Sequence, residues 1–250
     1  MPTRPAPGLS PTDDSAGAAS GWAQPRRGAS QCEVCRSWGD SALCADCLAR
    51  FAAARPRCRC CGLGLAAAAP ACSGCLQAPP PFERTVCLAD YGFPWDGLIA
   101  ELKFHGRTAL AGALAPGLAR AVAEAGEPGV DLVVPLPLSA ERLAQRGYNQ
   151  AWELARRTAA LLALPARSDL LSRPIATAVQ HELDRAARQR NLRGAFMVEA
   201  AGRSALQGLR VALVDDVMTT GATVREAAAT LRRAGAAAVD VWVLARTPEH

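Results

Sequence analysis

The stretch from Val211 to Val224, V-A-L-V-D-D-V-M-T-T-G-A-T-V, constrains this chain more than any other. Its first four residues form the short apolar run expected of a strand buried on both faces of a parallel sheet. Two adjacent carboxylates follow, Asp215 and Asp216, then the loop Thr219-Thr220-Gly221-Ala222-Thr223, then a helical segment from Arg225 to Gly235. A strand feeding a polar loop and a helix N-terminus makes an anion site. Free amides and the helix dipole point at the ligand, and the threonine hydroxyls add donors. The carboxylates cannot serve a phosphate, because like charges repel, but they can accept hydrogen bonds from hydroxyls such as those of a ribose. In isolation, Asp216 and Thr219 read as turn and N-cap residues, with Gly221 allowing the bend. The uninterrupted order of strand, acid pair, threonine loop and helix favours a ribose 5-phosphate site.

Cysteine spacing is the second constraint. The pairs Cys32/Cys35, Cys44/Cys47, Cys58/Cys61 and Cys72/Cys75 each have C-x2-C spacing. Two such knuckles complete a tetrahedral four-cysteine site, so four knuckles predict two structural Zn2+ sites whose closed shells leave no position for catalysis. A core this small needs the metal, which supplies on the order of 10 kcal/mol of folding free energy per site. Spacing does not fix which knuckles pair; sequential pairing closes the shortest loops and is preferred. Cys60 lies inside a knuckle and could compete as a ligand, whereas Cys87 reads as a small buried hydrophobe in a strand.

Residues 1–31 show no secretory apolar region, and no stretch approaches the roughly 20 apolar residues of a membrane span. The expectation is a cytoplasmic chain without a membrane span, in which the paired cysteines among the ten present bind metal and do not form disulfides. The chain carries 28 Lys+Arg, nearly all arginine, and a net charge of +5. Arginine suits bidentate phosphate contacts. That balance permits polyanionic ligands without by itself showing nucleic-acid binding.

The domain expectation is a disordered tail (1–31), a double zinc ribbon (32–77), a Pro-rich linker (78–83) and an α/β domain (84–250). Within the last, a strand from Arg84 to Tyr91 leads to a helix from Pro94 or Trp95 to Gly106. Lys103 and Arg107 share a face of that helix and read either as anion or DNA contacts or as a solvated basic face. An Ala-rich helix (108–125) and the strand Val130–Val134 follow. The loop Pro135-Leu136-Pro137-Leu138-Ser139 then leaves the carboxyl end of that strand, where open α/β sheets bind ligands. Arg142 and Arg146, one turn apart, stand just beyond it, able to meet diphosphate charge. A helix from Asn149 or Gln150 to Leu164, a strand at 166–171 and a last strand at 237–245 complete the pattern. The polar segment 177–196 carries Arg185, Arg188, Arg190 and Arg193. It reads as an exposed basic helix or as a loop closing over a polyphosphate. Alternating strands and helices imply a parallel sheet flanked by helices.

Four stretches together resemble one family. They are D-D-V-M-T-T-G-A-T (215–223), F-P-W-D-G-L-I-A-E-L-K-F-H-G-R (93–107), P-L-P-L-S-A-E-R-L-A-Q-R-G-Y-N-Q-A (135–151) and Q-H-E-L-D-R-A-A-R-Q-R-N-L-R-G-A-F (180–196). With the knuckles ahead of them, they are similar to the ComF/GntX family, a double zinc ribbon joined to a type I phosphoribosyltransferase-like domain. The resemblance implies that Asp215 and Asp216, as the catalytic acids, bind the ribose hydroxyls of phosphoribosyl pyrophosphate (PRPP). It implies that Thr219, Thr220, Gly221, Ala222 and Thr223 bind its 5-phosphate. Pro135, Leu136 and Pro137, with Arg142 and Arg146, would face the pyrophosphate. Mg2+ would ride on PRPP itself, in keeping with the lack of a dedicated carboxylate cage. The family's link to DNA uptake in natural competence implies single-stranded DNA and competence-machinery proteins as partners. No acceptor is implied. The chain is therefore expected to bind PRPP, with an active phosphoribosyltransferase or a zinc-stabilised scaffold with a vestigial site as the alternatives.

Overall fold

The computed structural model describes residues 30–126, 129–174 and 194–248. The tail through residue 29 and the segment bearing Arg185, Arg188, Arg190 and Arg193 lie outside the described residues. The apolar runs assemble into a parallel sheet of four strands: β3 (Arg84–Asp90), β4 (Leu132–Pro135), β5 (Arg210–Met218) and β6 (Ala238–Arg246). The order across the sheet is β3–β6–β5–β4. Side chains alternate between its faces. Val211 and Leu213 of β5 join Val239, Val241 and Val243 of β6 on one face, while Ala212, Val214, Trp242 and Leu244 face the other. Because both faces are covered, the strands are apolar throughout.

Helices α3 (Trp95–Phe104), α4 (Leu110–Glu124) and α6 (Gln150–Leu161) cover the Trp242 face, and α8 (Ala222–Arg233) the other, with the short α7 (Ala200–Leu206) beside it. The helix ends follow local chemistry: Asn149 Oδ1 accepts from the Ala151 amide at 2.9 Å to start α6. Gly147, at φ +79°, ends α5 (Ala140–Arg146) in the left-handed conformation that favours glycine. Among the described residues no helix is long and apolar enough to cross a membrane.

The cysteine-rich segment has no core of its own. Its first half, with β1 (Ser30–Gln31), β2 (Trp38–Gly39) and α1 (Ala45–Phe51), sits on the Trp242 face. Leu43 joins that core, and Trp95 Nε1 donates to the Phe51 carbonyl at 2.8 Å. The second half, with α2 (Ser73–Gln77), sits on the opposite face, where Cys58, Cys61, Leu63 and Cys75 pack in one cluster with Val241 and Val243. Its docking is also polar. The Thr85 hydroxyl donates to the Cys60 carbonyl at 2.6 Å, and Arg55 and Arg57 reach Asp90 at 2.5 and 2.7 Å. Phe82, at the end of the expected linker, is itself buried.

Two expectations change. The strand expected at 166–171 is a single parallel bridge between Ala166 and Val133. Pro165 has no amide to lend the ladder, and the chain turns where Arg167 pairs with Asp169 at 2.6 Å. β5, in contrast, runs past its apolar residues to Met218, because its pairing with β6 continues through Asp215↔Val243 to Met218↔Arg246. The acid pair therefore lies within a strand.

Asp90 tests the docking of the second cysteine-rich half. Burial raises its carboxyl, but Arg57 and Arg55 outweigh burial and hold it below the ordinary carboxylate range. An acid lowered in the folded state contributes stability above its unfolded pKa and loses it as pH falls through the folded value. Asp90→Asn should cost about 1 kcal/mol at neutral pH, since both partners are partly exposed, and flatten the acid limb of a Tm-against-pH curve. Thermal melts from neutral to acid pH check both effects.

Candidate functional site

At the carboxyl ends of β4 and β5 the structure opens a cleft of about 490 Å³. In an open parallel sheet this is where strand ends and their following loops leave backbone groups for a ligand. Asp215 and Asp216 project from adjacent positions near the end of β5. The Asp216 amide donates to Asp215 Oδ1, and the Val217 amide to Asp216 Oδ1, both at 2.8 Å, which fixes the two carboxylates. Burial, then the neighbouring Asp216 carboxylate, push the Asp215 carboxyl well above the usual range, against the pull of Lys103. Two acids this close in a partly buried site resist ionising together.

Lys103, in the last turn of α3, brings its Nζ within 3.0 Å of Asp216 Oδ2, an ion pair with one partner almost wholly buried. It is the chain's only lysine among 28 basic residues, which is the signal that separates it from a merely solvated basic face. An ammonium is a compact point charge where a guanidinium is a planar fork, so the two are not interchangeable in such a corner. Arg107, one turn on, is drawn away from the cleft: it donates to both Glu33 carboxylate oxygens, at 2.9 and 3.0 Å. It fastens the first cysteine-rich half to α3.

On the other side, the Leu136 amide donates to the Val214 carbonyl at 2.8 Å, and Asn149 Nδ2 holds the Leu136 carbonyl at 3.0 Å. These bonds hold the 135–139 loop beside β5. Ser139 caps α5 by accepting from the Arg142 amide at 3.4 Å, so Arg142 and Arg146 fall on the face of α5 that borders the cleft. Arg146 lies over the Phe104 ring, 5.3 Å from its centroid, and donates to Gln150.

Of the residues singled out in the sequence, the cleft brings together Lys103, Leu136, Pro137, Arg142, Arg146, Asp215, Asp216 and Thr223. Pro135 is buried behind it as the last residue of β4. Thr219 and Thr220 are exposed in the turn after β5, and Gly221 caps α8 at φ +75°, where a side chain would be strained and would meet Met218. Ala222 begins α8, its amide donating only over a long 3.4 Å to Thr220 Oγ1, so the helix N-terminus keeps donors to offer. Sequence reasoning missed Arg173, Phe104, Tyr148 and Gln150, which also line the cleft. Arg173 stands against Phe196, 5.5 Å from the ring centroid, and burial followed by the Arg142 charge lowers its pKa, while Asp215 raises it. It reaches the site from a loop distant in sequence, which no local pattern marks. Four cations thus face two acids, one of them reluctant to ionise. The cleft suits a ligand that is polyanionic overall and also offers hydroxyls.

The two cysteine quartets form with sequential pairing: Cys32, Cys35, Cys44 and Cys47, then Cys58, Cys61, Cys72 and Cys75, the four sulfurs of each within 4.8 Å of one another. Tetrahedral Zn2+ with Zn–S bonds of about 2.3 Å needs sulfurs about 3.8 Å apart. The Cys35–Cys44 and Cys61–Cys72 sulfur pairs are each separated by 3.7 Å. Burial raises the Cys32 thiol, but amides of Cys44, Cys35 and Val34 outweigh it and bring it to about 6. Cys58 is brought to about 7 against burial by the amides of Cys61 and Cys72, while burial pushes Cys47 up to about 12. The thiolate is favoured at Cys32 and Cys58 and needs a cation beside it at Cys47, and with sulfurs at tetrahedral spacing both donor sets fit a structural metal. Cys60 and Cys87 belong to neither quartet.

A family model described as phosphoribosyl transferase domain matches residues 143–250. DNA utilization protein YhgH of Salmonella typhi is 40% identical over 228 residues, covering 86% of this chain and 96% of that protein. YhgH of Escherichia coli (strain K12) is 39% identical over 223 residues, with the same shares covered. Competence protein F of Haemophilus influenzae is 34% identical over 208 residues, covering 82% of this chain and 90% of its own length.

Metal content checks the quartets. Purified protein should carry two Zn2+ per chain by elemental analysis, and Cys58→Ser should carry one. Because Cys58 is wholly buried in the core shared with the sheet, the same substitution should lower Tm by at least ~5 °C.

Proposed function

This chain belongs to the ComF/GntX family, together with YhgH and Competence protein F, and from that premise we propose that its cleft binds PRPP with Mg2+. The observation that carries the reading is the adjacency of Asp215 and Asp216 at the end of β5, opening on the same cleft as Lys103, Arg142, Arg146 and Arg173. The acids accept from the ribose hydroxyls. The threonine loop 219–223, with the N-terminal amides of α8, receives the 5-phosphate. Leu136, Pro137 and the two arginines of α5 border the pyrophosphate. Lys103 neutralises Asp216 and keeps a carboxylate available beside the sugar. Mg2+ supplies charge neutralisation across the pyrophosphate oxygens when bound. Transfer, if an acceptor is present, breaks the bond between the anomeric carbon and pyrophosphate. Its stabilisation is electrostatic: arginines on the departing anion and carboxylate density near the cationic sugar.

PRPP binding is the reading for this chain, and catalysis is secondary to it, because the cleft supplies groups for every part of PRPP while the acceptor has no dedicated partner among them. The relatives are named for DNA utilization and competence, and the biological role proposed here is PRPP-responsive handling of single-stranded DNA in the cytoplasm, with the two cysteine quartets holding Zn2+.

Calorimetry with PRPP and Mg2+ tests the binding. The Asp215→Asn/Asp216→Asn double variant should bind at least tenfold more weakly, a loss of about 1.4 kcal/mol or more; equal heats in the two proteins refute the reading. Lys103→Arg should also weaken binding several-fold although it keeps the charge, because the fork does not fit the corner held by the ammonium. Band shifts with single-stranded DNA should weaken steeply as salt rises, and no shift at low salt removes the DNA role.

A further inference from the structure

Arg246, the last residue of β6, is 4% exposed and, among the described residues, has no carboxylate partner. Its guanidinium donates to main-chain carbonyls instead. Nε reaches Cys61 at 2.9 Å, and the two N–H groups of Nη1 are shared among the carbonyls of Met218 at 3.3 Å, Thr219 at 2.5 Å and Thr247 at 2.6 Å. A buried guanidinium is tolerated only where its donors are satisfied. Here the acceptors come from the knuckle of the second cysteine quartet, the turn that leaves β5 and the residue after β6. The planar fork fixes the directions of its donors, so one side chain sets the separation of a knuckle and a loop that have no other hydrogen bond to each other among the described residues.

The knuckle it grips is firmly seated. Gly62, next to Cys61, lies at φ +69°, and a Cβ there would stand 3.0 Å from Thr85, so the knuckle backbone lies directly against β3. The Gly62 carbonyl also accepts from Arg57 at 3.2 Å. The loop it grips is the weaker partner: Thr219 and Thr220 are exposed. The first quartet is fastened elsewhere, to α3 through Glu33 and Arg107.

We infer that Arg246 is a positioning residue that orders the loop Thr219–Thr223 by fastening it to the Cys61 knuckle, so that the anion-binding end of the cleft depends on the second cysteine quartet and not on the first. The ligand of that loop rests on the PRPP reading; the coupling itself does not. The coupling is reciprocal: whatever loosens the knuckle loosens the loop, and freeing the loop loosens the knuckle.

The test uses the full chain with both metals bound and compares wild type with Arg246→Met. Backbone order parameters at Thr219, Thr220 and Gly221 should fall from about 0.85 to below about 0.6 in the variant. Zinc transfer to a chromophoric chelator should accelerate at least tenfold in the phase belonging to the second quartet and stay unchanged in the other. PRPP should bind at least tenfold more weakly. Unchanged loop order, or an unchanged transfer rate from the second quartet, overturns the inference. Should Arg246→Met fail to fold, Arg246→Lys carries the same two readouts, since an ammonium cannot span the Cys61 and Thr219 carbonyls. If the wild type binds no PRPP while loop order and zinc transfer still respond, the ligand reading fails and the positioning role stands.

Discussion

The pairing of β5 on both edges is the constraint from which the site follows. β4 holds it over Val211–Val214, and β6 continues to hold it through Asp215 and Met218. That second ladder carries two adjacent carboxylates to the rim of the sheet without letting the strand fray. A short strand ending at Val214 would have left the acids in a loop, free to turn toward water. As part of a paired strand they are fixed, and the cleft must take up their charge.

The cleft does so with side chains from three further parts of the chain. Lys103 pairs with Asp216 from the end of α3, while Arg142 and Arg146 line the opposite rim from α5. Arg173 arrives from the loop beyond α6. Like-charged arginines and paired acids close together are costly in an empty cleft and favourable once an anion and hydroxyls lie between them. The proposal of a polyanionic, hydroxyl-bearing ligand thus rests on the arrangement of charge and not on any one residue.

The cysteine quartets serve the same end from both faces. Neither half of the segment could bury enough apolar surface to fold alone. Each instead contributes to one of the two cores of the sheet, the first beneath α3 and the second beside β3. Each cysteine quartet therefore rests against one face of the sheet that carries the cleft. Phe82, buried at the end of the expected linker, is part of the joint.

Much of this was legible in the residues. Apolar runs, C-x2-C spacing and the D-D-x2-T-T-G-x-T order are local patterns, and local patterns survive being read along one dimension. They located the sheet, both quartets, the acid pair and the arginines of α5. What they could not decide is where chain distant in sequence meets. Lys103 and Arg107 share a helix face and look alike in sequence, yet Asp216 draws one into the cleft and Glu33 draws the other onto the first quartet. The expected strand at 166–171 shrank to a bridge because its neighbour supplies a proline. Arg173 and Arg246 carry no motif. One is defined by a cleft that four separate segments build and the other by carbonyls of a knuckle 185 residues away. Sequence alone determined the chemistry available; only the tertiary structure decided which charges stand together, because burial and pairing are properties of neighbours in space.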